Sequence, residues 1–344
     1  MKGSLPMALR IAARRATSYD VARKSGVSQS TVSRCFQPGS NISPATRALV
    51  IGVAEELGYM PNALARSLIT QRSNLVGVVA THYTLRGNPD VVYAIGRSLA
   101  AAGKQFLLVT ADSDAATIAD LRGALEYPLD GLISCVLMAD AALAEIQERG
   151  VPLVLYNRKS PRIAVDSVTT NHSAAAASVA TALYAAGHRS FLCISGPLEA
   201  YVSQQRREGF MQRLSQLGIK HPPMIDTDYS YADGRRAFLD YVARATRPGA
   251  VFCANDQIAM GVMDACRFDL NLTVPDDISV IGFDDIAEAG RPSYELTTLH
   301  QESVLMARTA VDILLRRIAD LSAVTINTVV EAALVKRRSA RLLD

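Results

Sequence analysis

The chain has no tryptophan, only five cysteines and five histidines in 344 residues, and no apolar run that approaches a membrane span. Cys35, Cys135, Cys193, Cys253 and Cys266 are odd in number and never closely paired. That argues against a disulfide frame or a zinc site and leaves them as small hydrophobes in a reducing compartment. His82, His172, His188, His221 and His300 lie far apart with no metal-ligand spacing. Apolar stretches such as Leu75–Ala80 are strand-length, whereas a spanning helix needs about 20 residues. Met1–Ala16 carries arginines but no apolar core ending in a small-residue cleavage site, so a cytoplasmic protein without a membrane partner is expected. Also missing are a Gly-x-Ser-x-Gly elbow, a phosphate-cradling loop and a dinucleotide glycine fingerprint. Asp284-Asp285 could suggest acid–base chemistry, but adjacent residues at a strand end point apart. The expectation is a non-enzyme with no cofactor and no metal.

What is present suits a large folded core. Hydrophobic residues make up 49% of the chain and charged ones 20%, at a length comfortable for two or three domains. Charge is unevenly placed. Residues 1–72 carry ten Lys/Arg against three Asp/Glu, whereas the remainder carries 26 against 30. A basic head on a mildly acidic body favours a polyanionic partner for the head, although a solvated basic surface has the same composition.

Three zones succeed one another. Thr17 to about Tyr59 reads as short helices with tight turns. Pro61–Arg72 reads as a small-residue helical stretch with Pro and Asn at its start. After Ser73, apolar strand-like runs (Leu75–Ala80, Gln105–Thr110, Gly131–Ser134, Leu153–Tyr156, Ser190–Ile194, Ala250–Cys253, Ile278–Gly282) alternate with helical patterns. Those helical patterns include Asp90–Ala102, Ala139–Arg149, Asn171–Ala186, Gln204–Leu217 and Asp256–Phe268. Alternation implies parallel sheets covered by helices, and some 270 residues of it imply two α/β subdomains with a cleft between them.

The segment Ser18–Arg34 carries the strongest motif. It reads as a helix, a turn at Gly26, which has no Cβ to oppose the turn, and a second helix capped by Ser28. Val21, Val27 and Val32 point inward, joined by Cys35 or Phe36. A third helix starting at Ser43-Pro44 closes the core with Leu49, Val53 and Leu57. Gln29, Ser30, Ser33 and Arg34 are left on the outer face. In a helix-turn-helix this surface enters the major groove, where Gln can bond adenine, Ser either base type, and Arg guanine or phosphate. A helical hairpin that touches no nucleic acid is the plain alternative.

Tyr-Asp-Val-Ala, Gly-Val-Ser, Thr-Val-Ser-Arg, Ile-Ser-Pro-Ala-Thr-Arg, Leu-Gly-Tyr-Met-Pro-Asn and Ala-Arg-Ser-Leu occur in this order between Thr17 and Leu68. On these elements the chain resembles the lactose-repressor (LacI/GalR) family of regulators, everywhere except its first 16 residues. The resemblance implies an N-terminal all-α helix-turn-helix head and an α/β core of two parallel-sheet subdomains, similar to periplasmic sugar-binding proteins. The implied domains are a basic leader (1–16), a DNA-binding head (17–60), a hinge helix (61–72) and a core (73–344). The core divides into lobes of roughly 73–165 with 296–325, and 166–295 with 326–344. Candidate DNA contacts are Ser18, Tyr19, Ser28, Gln29, Ser30, Thr31, Ser33, Arg34 and Asn41 in the head, with Asn62, Ala65, Arg66 and Leu68 in the hinge. Leu68 is the implied minor-groove wedge, since an apolar side chain between base steps kinks the duplex.

In open α/β sheets ligands sit at the carboxyl ends of strands. Asn157-Arg158, Asn255-Asp256 and Asp284-Asp285 fall at such ends. The resemblance adds Arg206 and Tyr229. Asn157, Arg158, Arg206, Tyr229, Asn255 and Asp284 are therefore the candidate effector residues. Asp256 and Asp285 could equally serve as helix caps, and Arg158 as a cleft-rim ion pair. The loop 81–90, where Asp90 stands in place of the family's aromatic residue, closes one side of the pocket. The implied effector is a sugar, with several arginines favouring an acidic one. The implied assembly is a homodimer on near-palindromic double-stranded operator DNA, acting as a repressor. Only five residues lie beyond the tail Leu334–Ser339, too few for a tetramerising heptad helix. A solute-binding protein and a cleft enzyme are the alternative classes.

Overall fold

Polar caps set the limits of the N-terminal helices. In α1 (Ser18–Ser25), Thr17 accepts from the Asp20 amide while its own amide and hydroxyl donate to Asp20 Oδ2, at 3.0 and 2.7 Å. This reciprocal capping box satisfies donors that a helix start leaves open. Gly26 ends the helix at φ 70°, a left-handed conformation that costs a residue with a Cβ. Ser28 then caps α2 (Gln29–Cys35), accepting from Thr31 N at 3.1 Å. Ser43 caps α3 (Pro44–Glu56) in the same way, with Pro44 in the first turn, where no amide is needed.

The three helices bury Val21, Ala22, Val32, Cys35, Val50 and Ala54, and both Cys35 and Phe36 take part in the packing. The third-helix stripe expected from sequence is corrected by one residue. Leu49 is 51% exposed, and Val50 and Ala54 are the buried pair, with Val53 and Leu57 beside them. Arg47 holds the connection between α2 and α3. Its guanidinium donates to the Cys35 carbonyl and to Ser40 Oγ (2.7 Å), with longer bonds to the Gln37 and Ser40 carbonyls. Arg47→Met keeps the aliphatic stem but leaves these acceptors short. It is expected to destabilise the head by about 1–3 kcal/mol, read as faster amide exchange in α2 and α3 of the full-length protein.

The computed structural model describes residues 16–37, 39–60 and 72–343, and the chain divides into two compact units, Met1–Ser73 and Asn74–Asp344. The expected leader (1–16, apart from Ala16) and the hinge 61–71 lie outside the described residues.

The second unit holds two parallel sheets. The first contains β1 (Leu75–Thr81), β2 (Gln105–Ala111), β3 (Gly131–Ser134), β4 (Leu153–Tyr156), β5 (Asp166–Thr170) and β11 (Asn327–Val330), in the order β11-β5-β4-β3-β1-β2. Val76, Val78, Ile133, Val154 and Val168 point to one face, covered by α5 (Pro89–Ala101) and α12 (Ser303–Ala319). Val79, Leu132 and Leu155 point to the other, covered by α6 (Ile118–Leu125) and α7 (Asp140–Glu148). Alternation of inward residues with period two thus feeds two cores from one strand. Ahead of α5, the short α4 (His82–Gly87) comes directly after β1, capped by Thr81. The loop expected here is a helix instead, because the Thr81 hydroxyl accepts from Thr84 N.

The second sheet, β7-β6-β8-β9, comprises β6 (Phe191–Ser195), β7 (Met224–Asp226), β8 (Ala250–Cys253) and β9 (Ser279–Ile281). Here α8 (His172–Ala185) and α9 (Tyr201–Gln216) cover one face, while α10 (Tyr231–Val242) and α11 (Asp256–Asp264) cover the other. The short β10 (Thr298–His300) and β12 (Ala333–Val335) pair antiparallel. The chain passes between the lobes after β5, after β10 and after β11. The expected exchange points, 165/166, 295/296 and 325/326, are thereby corrected; β10 stays with the second lobe, where Thr297 and His300 bridge to Ile281 and Asp284. Asp166–Thr170 and Asn327–Val330 pair with each other and extend the first sheet. Polar β5 is pinned there by Asp166 with Arg317 (2.9 Å) and Ser167 with Asn327 (2.7 Å). Among the described residues no helix is long and apolar enough to cross a membrane.

Candidate DNA-reading face and effector cavity

On the head, the α2 caps and core residues decide which side chains remain free. Val32 and Cys35 face inward, so Gln29, Ser30 and Arg34 are exposed and Ser33 and Thr31 half-exposed. Ser28 is exposed but spends its hydroxyl on the cap. Tyr19 is 69% exposed, Asn41 is exposed and Ser18 half-buried. Gln29 Nε2 reaches Ser18 Oγ at 3.3 Å, which joins α1 to the start of α2. Arg34 carries no acidic partner among the described residues. The arrangement is a polar, cationic helix face with its first turn outward, the form that direct readout of base edges requires. Asn62, Ala65, Arg66 and Leu68 lie outside the described residues.

In the core, Asn157, Arg158, Arg206, Tyr229, Asn255 and Asp284 line one cavity that opens to solvent. Each stands just beyond a strand or on a helix facing the same opening, from both lobes. Asn157 (φ 55°), Tyr229 (φ 67°) and Asp284 (φ 121°) hold backbone conformations that side chains disfavour. Such conformations persist where surrounding structure imposes them, and they cluster at binding sites.

The cavity's two arginines both come with a carboxylate. Arg158 Nε meets Asp114 Oδ1 at 2.7 Å, and Arg206 Nη2 meets Asp284 Oδ1 at 3.0 Å, all four groups nearly buried. Arg158 also donates to its neighbour's carbonyl, Asn157 O (2.9 Å). Arg206 donates to Ala254 O (2.5 Å) and His172 Nδ1 (3.3 Å), with its guanidinium 3.6 Å from the Phe283 ring centroid. Burial pushes the Asp284 carboxyl up, against the opposing pull of Arg206 and Gln301. Tyr229 and Tyr83 meet edge to face with centroids 6.0 Å apart, and burial raises the Tyr229 hydroxyl to about 12. Cys135, also lining the cavity, is raised by burial to about 12 and is a protonated thiol.

Asn255 lines the cavity while capping α11: its Oδ1 accepts from Ile258 N (2.9 Å) and its Nδ2 donates to Tyr229 O (3.0 Å). Asp256 is neither cap nor ligand contact. It is buried behind the site, accepting from Thr298 Oγ1 and Ile286 N. Asp285 pairs with Arg337 (2.7 Å) and His300 (2.9 Å) rather than capping the next segment of chain. Asp90 stands in the first turn of α5 and does not line the cavity; the aromatic ring there comes from Tyr83 on α4.

Sequence reasoning missed Asp114 and Gln301, and it placed the segment 81–90 against the pocket without singling out Tyr83, Thr84 or Asn88. Asp114 lies just past the carboxyl end of β2, so the strand-end rule applied to Asp112-Ser113-Asp114 would have found it. Gln301 had no such signal, because β10 is only three residues long. Among the described residues no cluster of His, Cys, Asp or Glu could hold a metal.

Asp256 gives a prediction with a definite sign. Burial first, then the nearby Asp284 charge, push its carboxyl well above the ordinary 3.8. A carboxyl whose folded value is raised binds more protons folded than unfolded, so its contribution to stability is lost as pH rises above about 4. Asp256→Asn removes that loss, since an amide can still meet Ile286 N and the Thr298 hydroxyl. The variant is expected to be more stable at pH 8 by on the order of 1–3 kcal/mol, with the gain vanishing near pH 4 in urea melts.

A polar helix face on one unit and a two-lobed core with a cavity at its strand ends on the other define a ligand-responsive DNA-binding regulator. The comparisons with known proteins agree. Residues 17–62 match the bacterial regulatory proteins of the lacI family, and residues 180–340 match a periplasmic binding protein-like domain. The HTH-type transcriptional repressor PurR of Erwinia tasmaniensis is 32% identical over 330 residues, covering 94% of this chain and 96% of that protein. The ribose operon repressor of Escherichia coli K12 is 32% identical over 309 residues, covering 88% and 93%. A solved structure of the lac repressor dimer bound to operator and the anti-inducer ONPF superposes with a TM-score of 0.83 at 29% identity, covering 95% and 99%. The chain belongs to the lacI family of bacterial regulatory proteins. It is a DNA-binding transcriptional repressor whose action is set by a small-molecule effector.

Proposed function

We propose that the effector is a neutral, hydroxyl-rich small molecule, a sugar, held between Arg158, Arg206, Asn255 and Asp284 with Tyr83 and Tyr229 against its ring. The observation that carries this reading is the pairing of both cavity arginines with buried aspartates. Paired in this way, they present no surplus positive charge for a sugar acid. Each pair still offers unused donors and acceptors. Arg158 Nη2 and Asp284 Oδ2 have no hydrogen-bond partner among the described residues, and a sugar hydroxyl both donates and accepts. Calorimetry with a panel of neutral sugars and sugar acids at millimolar concentration tests the reading. Binding of acids alone favours the charged effector, and binding of neither class sinks a sugar effector.

The chain works as a cytoplasmic, non-enzymatic homodimer, each head occupying half of a near-palindromic operator through Gln29, Ser30, Ser33 and Arg34, with Ser18, Tyr19, Ser28, Thr31 and Asn41 beside them. The hinge residues Asn62, Ala65, Arg66 and Leu68 then meet the minor groove between the half-sites. Effector binding shifts the lobes and so weakens or strengthens the heads' joint hold, and linkage makes the effect reciprocal. Selection of sites from random DNA should yield a short near-palindrome with steep salt dependence. On that site Arg34→Ala is expected to cost about 1–3 kcal/mol per half-site. Equal loss on unrelated DNA would assign Arg34 to phosphate rather than base contact.

A further inference from the structure

In the cavity wall, four lining side chains and His172 behind them close a ring of hydrogen bonds that joins the two lobes. Arg206 Nε donates to His172 Nδ1 (3.3 Å), His172 Nε2 meets Asn157 Oδ1 (3.1 Å), and Asn157 Nδ2 donates to Gln301 Oε1 (2.8 Å). Gln301 Nε2 donates to Asp284 Oδ1 (2.6 Å), which Arg206 Nη2 reaches from the other side. Arg206 and Asp284 belong to the second lobe, Asn157 to the first. His172 and Gln301 sit on two of the segments that pass between lobes, His172 as the first residue of α8 and Gln301 just after β10.

The direction of every bond in the ring is forced from two independent ends. A guanidinium can only donate, so Nδ1 of His172 is an acceptor. The Thr170 backbone amide can only donate, and it does so to Asn157 Oδ1 at 2.9 Å. That oxygen must therefore also accept from His172, whose Nε2 carries the proton. The same fact turns the Asn157 amide group toward Gln301, and the Thr170 hydroxyl, 2.9 Å from Gln301 Oε1, completes the set. Only a neutral imidazole with hydrogen on Nε2 fits. An imidazolium would present a proton to the Arg206 N–H and break the ring at the lobe junction.

We propose that His172 is a positioning residue for the effector site: a neutral imidazole that sets Arg206 and Asn157 in register across the lobes. The proposal rests on the reading of this cavity as the effector site. It also gives Asn157 a different task from the one its place in the cavity wall suggests, because both ends of its amide are committed to the ring. The charged groups facing His172 are Arg206 from α9 and Arg158 beyond β4, both paired with carboxylates, with the Phe283 ring 5.6 Å away. Burial first, then these two cations, hold the imidazole well below its ordinary 6.5. A histidine depressed in the folded state binds fewer protons than in the unfolded one. Stability is therefore full above pH 6.5 and declines as pH falls below it.

The experiment uses the full-length protein, labelled with nitrogen-15 at its histidines and free of ligand, with the His172 signals assigned by their loss in His172→Gln. The expected spectrum shows a protonated Nε2 and a bare Nδ1 from pH 8 to below 6. A proton on Nδ1, or titration near the ordinary value, overturns the proposal. Two variants supply the functional arm. Glutamine can accept from Arg206 and donate to Asn157 as the imidazole does, whereas leucine of similar size can do neither. His172→Gln is expected to keep the midpoint of thermal unfolding at pH 8 close to that of the parent, and to lose part of the parent's decline between pH 6.5 and 5. His172→Leu should fall well below both at every pH or fail to fold. If leucine proves as good as glutamine, the ring contributes nothing and the proposal fails. A sugar panel without binding, alongside the expected histidine spectrum, would remove the effector reading and leave the ring standing.

Discussion

Arg206→Ala should leave the repressor's effector-free operator affinity unchanged and make it deaf to its effector. Three acceptors share this guanidinium: Asp284 Oδ1, Ala254 O and His172 Nδ1. Alanine leaves the Asp284 carboxylate buried with only Gln301 as donor. Removing one partner of such a pair costs about 3–5 kcal/mol of core stability, so the unfolding midpoint of the core should drop. The binding loss is separate. A charge-assisted bond to a ligand hydroxyl, together with the disordered Asp284, is expected to weaken effector affinity by about a hundredfold or more. Calorimetry on the variant, beside an operator titration at fixed salt, separates the two. The head is a unit of its own, so operator affinity without effector should change little. If effector affinity is retained, Arg206 is a structural strut and the binding groups lie elsewhere in the cavity.

The reasons some of this was legible in sequence, and some not, lie in how far each signal reaches along the chain. Short apolar runs between helical patterns gave β1, β2, β3, β4, β6, β8 and β9 to within a residue or two, because buried parallel strands are recognisable from their own residues. β5 was not, since Asp-Ser-Val-Thr-Thr reads as polar surface. Its carboxylate and hydroxyls are buried only because Arg317, Asn327 and Gln301 arrive from 130 residues or more further on. The shift from Leu49 to Val50 has the same origin. Both residues fit an apolar stripe on α3, and the angle at which α1 and α2 meet it selects between them. Caps are local, and Ser28, Ser43 and the Gly26 turn stand where a few neighbouring residues put them.

The cavity repeats this division. Four of its residues announced themselves by position at strand ends, the family resemblance supplied Arg206 and Tyr229, and the structure brings all six candidates together. What position could not reveal is which of them are already satisfied. Two arginines in a cleft suggest an anion until Asp114 and Asp284 are found beside them, 44 and 78 residues away in sequence. A charged ligand competes with such partners, whereas a hydroxyl adds to them. Pairing distant in sequence therefore decides the chemistry that composition leaves open.

Gly209→Val tests the same coupling from the backbone side. Gly209 lies one turn beyond Arg206 on α9, where that helix crosses α8 over the second sheet. A Cβ at this position would stand 2.2 Å from the Ser173 carbonyl oxygen and 2.7 Å from its Cα, both backbone atoms that cannot rotate away. The helices must separate, and with them the cluster of Ala176, Val179, Leu183, Phe210 and Leu214. Overpacking of this kind costs about 1–3 kcal/mol and occasionally more, and valine at a rigid backbone contact belongs at the upper end. Ser173 adjoins His172, so the displacement also draws Arg206 away from the imidazole it bonds. The expected result is a lowered unfolding midpoint for the core, with the remaining folded protein binding effector at least about tenfold more weakly. Amide exchange in α1, α2 and α3 should match that of the parent. An unchanged midpoint would mean that α8 and α9 do not cross as closely as the 2.2 Å approach requires.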